Sequence, residues 1–328
     1  MPLNRLISIA PMMDCTDRHF RFLVRLFSKH VLLYSEMVTA NAVIHGNRER
    51  LLGFNPVEEP LALQLGGSDP ATLAQASVIG EQWGYDEINL NVGCPSNRVQ
   101  SGRFGVCLMK EPIKVYECVS AMQASVNVPV TVKCRIGVDD MESYDHLCHF
   151  VSTVAESGCH SFAIHARKAW LNGLSPKQNR HIPPLKYDVV YQLKRDFPHL
   201  EIVINGGVKT HEEIRSHLEH VDGVMIGREA YGNPYWLSRF DQSYYGSSKK
   251  VVTRKEAALT YLDYVCQQVG VGANLSLLTK HMLGLFQGVK GAKRWRHFLC
   301  EKSRQPEGWR DLEREARSFF ETLSDEQA

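Results

Sequence analysis

The sequence is informative first for what it lacks. No apolar run approaches the roughly 18 residues that a membrane span requires, so no membrane partner is expected. The opening "MPLNRLISIAPMMD" is too short, and too broken by proline and charge, for a signal peptide. The nine cysteines are an odd number without paired spacing, which excludes a disulfide scaffold and points to reduced thiols in a cytoplasm. There is no C-x-x-C and no histidine cluster with ligand spacing, so no metal is expected. Internal repeats and low-complexity stretches are absent too. Charge of one sign is also missing on average: 38 Lys and Arg against 36 Asp and Glu leave +2, a mean that says nothing about partners until its distribution is read.

What is present is alternation. Eight short β-like runs occur at 6–10, 31–37, 61–65, 87–91, 130–135, 162–166, 201–205 and 223–227. Amphipathic stretches lie between them: Phe20, Leu23, Val24 and Phe27 fall on one helical face, as do Val115, Cys118, Val119 and Met122. Asp69-Pro70 puts proline at a first helical position, and Thr210 to Glu213 reads as a capping box. Eight strand–helix alternations predict an α/β fold, a (β/α)8 TIM barrel. A doubly wound sheet is the runner-up. It is disfavoured because the count reaches eight and no G-x-G-x-x-G follows the first strand. The barrel is expected over 1–245, with a polar linker at 241–250 and a small all-helical C-terminal domain over 246–328, where Leu275, Leu278, Met282 and Leu285 share one spacing and Leu312, Ala316 and Phe319 another.

In such barrels the reacting groups stand at the C-terminal strand ends. Side chains i and i+2 share a face of a strand. In "VTVKCR", Thr131, Lys133 and Arg135 therefore oppose Val130, Val132 and Cys134. In "EINLN", Asn89 and Asn91 oppose Ile88 and Leu90, and in "FAIHA" Ala163 and His165 oppose Phe162 and Ile164. The apolar faces suit the helix layer, so the polar ones point into the mouth. The loops after strands 7 and 8, "INGGV" and "IGREA", are where such barrels often bind phosphate, and Arg228 adds a charged donor. A phosphate-bearing ligand follows, and a flavin mononucleotide suits it, with Gln64 and Asn91 toward its ring and Lys133 near its reactive edge. In "INLNVGCPS", Cys94 sits in a turn between Gly93 and Pro95. On position alone it is either a small packed side chain or a reacting thiol.

These stretches together resemble the tRNA-dihydrouridine synthases. The matching motifs are "APMMDCTDRHFR" (10–21), "LQLGG" (63–67), "NLNVGCPS" (89–96), "FGVCLM" (104–109), "VKCRIG" (132–137), "IHAR" (164–167), "NGG" (205–207) and "IGREA" (226–230). They run across the whole barrel, in order. Val106 stands where alanine is expected, which touches no chemistry. "LNGLSPKQNRHIPPLKYD" (171–188) resembles the subfamily that modifies tRNA positions 20 and 20a. The resemblance implies an FMN-binding barrel followed by a helical domain. It also implies reduction of the uridine carbon 5–carbon 6 bond in tRNA, with NADPH as reductant; NADH is not distinguished from it by any motif. By the same resemblance Pro11, Met12, Met13, Gln64, Lys133, His165, Asn205, Gly206, Gly207, Gly227 and Arg228 hold FMN. Asn91 and Arg135 line the uridine pocket, and Cys94 donates the proton.

A thiol is a fitting acid, since its ordinary pKa of ~8.5 leaves it protonated near neutrality. Cys107 lacks the Gly-Pro frame and is expected to be structural, with Gly102 and Gly105 as hinges of a lid between the two cysteines. A tRNA substrate requires phosphate contacts. "KGAKRWRHF" offers Arg294 and Arg296 among other cations around Trp295, with Lys280, His281, Lys302 and Arg304 beside it. The barrel offers Lys177, Arg180 and Lys186 after strand 6, Arg167 at its end, and Asn97 beside the cysteine loop. The chain is expected to act as a monomer. Two rivals share part of this pattern: an FMN barrel reductase acting on a free pyrimidine, and a non-catalytic RNA-binding protein.

Overall fold

The computed structural model describes residues 3–305, 307 and 309–321, apart from the Arg98 side chain. The chain forms two compact units. One comprises Met1–Asp14 and Val31–Gly227, the other Cys15–His30 and Arg228–Ala328.

The first unit is the barrel. Its strands are β1 (Ile7–Ile9), β2 (Leu33–Tyr34), β3 (Val38–Thr39), β4 (Leu61–Gly66), β5 (Glu87–Asn91), β6 (Val130–Arg135), β7 (Ser161–His165), β8 (Glu201–Asn205) and β9 (Gly223–Ile226). All pairings are parallel, in the order β1-β9-β8-β7-β6-β5-β4-β2, with the two-residue β3 alongside β4. The two ends meet at a bridge between Ser8 and Leu32, where Leu32 donates to the Ile7 carbonyl at 3.0 Å and Ile9 to the Leu32 carbonyl at 2.9 Å. The eight barrel strands coincide with the eight runs read from the sequence; only β3 is additional. Parallel strands covered on both faces are buried along their length, and every residue of β4 and β5 is.

Helices follow where local chemistry starts them. The Asp69 side chain accepts from the Thr72 N–H ahead of Pro70–Gln82, and Ser143 does the same for Tyr144–Ala155. The capping box at Thr210 and Glu213 opens His211–Leu218. Helix Pro112–Gln123 buries Val115, Cys118, Val119 and Met122, the stripe its spacing predicted. Inside the barrel, Ala10, Leu32, Tyr34, Ala62, Ala163, Val203 and Met225 form a compact apolar cluster. The rest of the lumen on β4, β5 and β6 is polar: Gln64, Glu87, Asn89 and Thr131 are all buried there.

The second unit is helical. Helix Arg18–Phe27 buries Phe20, Leu23, Val24 and Phe27, and Asp17 caps its first turn by accepting from His19 and Phe20 N–H at 3.0 Å. The boundary expected at residue 245 falls inside this unit, which also takes in Arg18–Phe27 and 228–245. The reason is aromatic packing: Phe20 lies 5.0 Å from Tyr231, Phe27 meets Tyr235 edge-on, and Phe22 stacks on Tyr264 at 4.0 Å. The stretch expected as a linker from 241 is helical through Tyr245 and ends at Gly246, whose left-handed φ of 65° terminates the helix.

Leu275, Leu278, Met282 and Leu285 are buried as their spacing suggests, but on a short helix, Leu275–Thr279, a 3-10 turn, Lys280–Met282, and the turns that follow it, rather than on one helix. They meet helix Arg254–Gly270, helix Ala292–Lys302 and helix Leu312–Glu321 around Phe286, Trp295 and Phe320. Each such side chain, fully buried, contributes about 1.5–3 kcal/mol. Trp295 is wholly buried and donates to the Met282 carbonyl at 2.9 Å, so the aromatic inside the basic segment belongs to the core. No helix among the described residues is long and apolar enough to cross a membrane.

Candidate active site

Strand register assembles the barrel mouth from residues far apart in sequence. Gln64 pairs with Asn89, and Asn89 with Thr131. One step toward the strand ends, Asn91 pairs with Lys133 and Lys133 with Ala163. One further step, Arg135 pairs with His165 and His165 with Asn205. Polar side chains predicted to share the mouth by period-2 parity are thus brought together in staggered layers.

Above them runs the Cys94 loop. Asn91 ends β5 and holds the loop itself: its Oδ1 accepts from the Gly93 and Cys94 N–H groups at 3.2 and 3.0 Å. Its Nδ2 donates to Gln64 Oε1 at 2.8 Å. Arg135, only 4% exposed, donates from Nε to the Gly93 carbonyl at 2.8 Å and from one terminal nitrogen to the Lys168 and Asn179 carbonyls. Its guanidinium therefore staples the cysteine loop to the segment after β7, a role that strand parity did not suggest. Burial, with Arg180 and Arg167 nearby, brings its pKa down to about 10, against the opposing pull of Cys94. Cys94 is half-buried, with Sγ 3.6 Å from Ser96 Oγ.

The lid-hinge expectation for Gly105 is not what the structure shows. Gly105 has a φ of 60°, and a Cβ there would stand 2.3 Å from Val99 Cγ1 and 2.8 Å from the Cys94 carbonyl oxygen. The next residue, Val106, donates its N–H to that same carbonyl at 3.1 Å. Gly105 lets one loop pack on the other. Cys107 follows on the 3-10 turn Gly105–Lys110, and burial pushes its thiol upward.

On the other side of the mouth, Lys133 Nζ donates to Asn205 Oδ1 at 2.9 Å, and Asn205 Nδ2 donates to the Met225 carbonyl. Burial, with Arg135 adding to it, brings the Lys133 ammonium down to about 8. Gly206 and Gly207 follow with φ of 120° and 79°, conformations that side chains rarely adopt. A Cβ on Gly206 would stand 2.7 Å from the His165 ring, and one on Gly207 2.6 Å from Leu185 and from the Tyr187 hydroxyl. Tyr187 Oη donates to the Gly206 carbonyl at 2.7 Å, which anchors this turn. A Cβ on Gly227 would meet Met12 Sδ at 3.5 Å, so the "PMM" turn, Pro11 to Met13, lies beside the end of β9. Arg228 opens the next helix, in the second unit.

Arg167 donates to the Pro183 and His181 carbonyls, while its buried Nε has no hydrogen-bond partner among the described residues. Lys177 and Arg180 are exposed on the same long segment, and Lys186 is drawn toward Glu142 at 3.4 Å. Asn97, at the start of Asn97–Ser101, is exposed. Gln100 Nε2 donates both to the Pro95 and to the Leu171 carbonyls, tying the cysteine loop to the segment after β7.

In the second unit Lys293, Arg294, Arg296 and His297 are exposed around the buried Trp295. Lys280 and His281 pair with Asp17, and Lys302 pairs with Glu315, so these three side chains serve the fold.

Residues that sequence reading missed are the ones that hold others: Tyr187 under the glycine turn, Gln100 between two loops, and Asn179, buried and donating to the Trp170 and Leu174 carbonyls. Asn179 and Tyr187 lie inside the stretch 171–188 already singled out, but nothing local in it pointed to these bonds, and Gln100 is an ordinary polar residue of the short helix Asn97–Ser101.

Comparison with known proteins agrees over nearly the whole chain. Residues 8–322 match the family model described as Dihydrouridine synthase (Dus). The chain is 56% identical over 301 residues to a tRNA-dihydrouridine(20/20a) synthase of Shewanella oneidensis, covering 92% of this chain and 90% of that one. It is 55% identical over 312 residues to the protein of the same name from Pasteurella multocida, covering 95% of each. A 2-naphthoyl-CoA reductase complex superimposes with a TM-score of 0.56 at 10% identity, over 76% of this chain and 51% of that one. An old yellow enzyme homologue from Zymomonas mobilis does so with 0.53 at 11% identity, over 73% and 89%. At such identities these two structures speak for the fold alone.

Proposed function

The chain belongs to the dihydrouridine synthase family, and from that premise we propose that it reduces the carbon 5–carbon 6 double bond of uridine in tRNA, at positions 20 and 20a. The observation that carries this reading is the placing of Cys94 on a loop held by Asn91 and Arg135, at the end of the strand whose Asn91 pairs in register with Lys133. The mouth suits a flavin mononucleotide. The Gly206-Gly207 turn is packed so tightly on His165, Leu185 and Tyr187 that only glycine fits there, which leaves its backbone uncovered by side chains of its own, and Gln64, Lys133, His165, Asn205 and the Arg167 Nε, unpartnered among the described residues, would supply donors to the group. When bound and reduced by NADPH, the flavin supplies hydride to carbon 6 of the uracil.

The protein's own groups do the rest. Negative charge grows on the uracil carbonyl as carbon 6 is reduced, and the cations Lys133 and Arg135 stabilise it. Cys94 delivers a proton to carbon 5. The close packing of Gly105 on the Cys94 carbonyl keeps the thiol's backbone in one place while it does so. The target base has to leave its stack, at a cost of a few kcal/mol. Phosphate contacts offset that cost. Exposed Lys177 and Arg180 on the barrel, and exposed Arg294 and Arg296 on the helical unit, are proposed to make them. With tRNA and NADPH as reactants, the place of action is the cytoplasm.

The test is Cys94→Ala on an unmodified tRNA transcript, with dihydrouridine mapped by position. The variant retains flavin and its reduction by NADPH, and forms dihydrouridine roughly 10²–10⁴-fold more slowly. Wild-type dihydrouridine yield in that variant would remove Cys94 from the mechanism. Rapid turnover of free uridine monophosphate would replace the reading with a free-pyrimidine reductase.

A further inference from the structure

Barrel interiors of this type are ordinarily filled by branched apolar side chains. Here one sector holds a continuous chain of buried polar groups. It starts at the closed end with Glu87, wholly buried, whose Oε2 accepts from Arg5 Nε at 2.7 Å. Glu87 Oε1 accepts from the Tyr34 hydroxyl at 2.7 Å and from Thr131 Oγ1 at 2.5 Å. Thr131 Oγ1 accepts in turn from Asn89 Nδ2 at 2.8 Å, and Asn89 Oδ1 accepts from Gln64 Nε2 at 2.9 Å. Gln64 Oε1 accepts from Asn91 Nδ2 at 2.8 Å, and Asn91 Oδ1 accepts from the Gly93 and Cys94 N–H groups.

Both ends of this chain have fixed polarity. Backbone N–H groups at the top can only donate. A carboxylate facing a guanidinium at the bottom can only accept. Every amide and hydroxyl between them has one orientation consistent with both ends, and the structure shows that orientation throughout. Were Asn89 or Gln64 turned over, two NH2 groups or two carbonyl oxygens would face each other inside the protein, where nothing else satisfies them. A buried ion pair is a poor way to gain stability compared with an apolar filling of the same volume. Its use here is better explained by direction.

We infer that Arg5, Glu87 and Thr131 are positioning residues that fix the hydrogen-bond polarity of Asn89, Gln64 and Asn91 and thereby hold the Cys94 loop in its reacting place. The inference rests on the reading of Cys94 as the proton donor. It has a second consequence. With its carbonyl oxygen engaged by two N–H groups, Asn91 has only its second N–H left for a ligand, so a ligand atom beside it is an acceptor.

Thr131→Val removes the hydroxyl with little change of shape, and Thr131→Ser restores it. In holoenzyme saturated with FMN, Thr131→Val keeps its rate of flavin reduction by NADPH, while single-turnover reoxidation by tRNA slows about tenfold or more. Cys94 alkylation by iodoacetamide, read by peptide mass spectrometry, becomes severalfold faster because the loop has lost its anchor. Thr131→Ser returns both readouts to wild type. Should Thr131→Val fail to fold, Glu87→Gln serves: its amide can donate to Thr131 and let the chain reverse, with the same two effects. Wild-type reoxidation and wild-type alkylation in the folded variants would overturn the inference. So would equal losses in both half-reactions, which mark a merely structural role. Alkylation needs no tRNA, so it tests the chain even if Cys94→Ala were to retain full activity and the proton-donor reading fell.

Discussion

Gly105→Ala tests the packing at the centre of the site. The methyl group would meet two obstacles. The residue would have to hold a φ of 60°, which costs an L-residue about 1–2 kcal/mol. Its Cβ would also stand 2.3 Å from Val99 Cγ1 and 2.8 Å from the Cys94 carbonyl oxygen, both closer than real Cβ atoms come. Val99 is fully buried, and the carbonyl is already engaged by the Val106 N–H at 3.1 Å, so neither neighbour moves freely. Overpacking of this kind costs about 1–3 kcal/mol, which brings the expected loss to about 2–5 kcal/mol in urea unfolding. Gly173→Ala is the control: its φ is 81° but, its chain neighbours aside, no atom of the described residues lies within 4 Å of the added Cβ, so only the backbone penalty of about 1–2 kcal/mol applies. The movement forced on the cysteine loop also lowers dihydrouridine formation in Gly105→Ala while flavin content stays. Equal destabilisation in the two variants would refute the packing argument, and full activity in Gly105→Ala would refute its link to Cys94.

Two further outcomes are expected. The Lys133 ammonium titrates at about 8, below its ordinary 10.5, so its charge is present below that pH and lost above it. In a Cys94→Ala background, where that thiol cannot contribute, FMN affinity measured by fluorescence falls roughly tenfold as pH rises through about 8. Lys133→Met binds weakly throughout and loses this dependence; a wild-type affinity flat across that region would contradict the assignment. Replacing Arg294 and Arg296 together by Gln weakens tRNA binding and lowers the slope of log affinity against log salt by about 0.7–0.9 per lost phosphate contact, with the flavin spectrum unchanged. An unaltered slope would remove this face from the tRNA interface.

Much of the architecture was legible in the sequence because it rests on local periodicities. Period-2 alternation put Asn89, Asn91, Thr131, Lys133, Arg135 and His165 on inward faces, and side-chain hydrogen bonds join Asn89 to Thr131, Asn91 to Gln64 and Lys133 to Asn205 across neighbouring strands. The helix starts read at Asp69 and Thr210 are satisfied within three residues of the cap, so they too are local facts. The same logic failed where a pattern admits more than one backbone. The leucine spacing from 275 is shared by a short helix and a 3-10 turn, and Gly105 suits a hinge as well as a close approach. Likewise, no local pattern says where Trp295 goes among its neighbouring cations; packing against Phe286 and Phe320 places it in the core.

By itself, then, the sequence determined which elements form, which way their side chains face, and that a thiol stands in a turn at the mouth of a barrel. The tertiary structure alone decided who meets whom. Arg5 and Glu87 are 82 positions apart, Lys133 and Asn205 are 72 apart, and Asn91 finds Gln64 across 27. Backbone periodicity carries no information over such separations. Partner choice depends on the shear of the closed sheet, which slides each strand along its neighbour. That slide makes Arg135 a clamp on the Gly93 carbonyl and leaves Lys133 against Asn205.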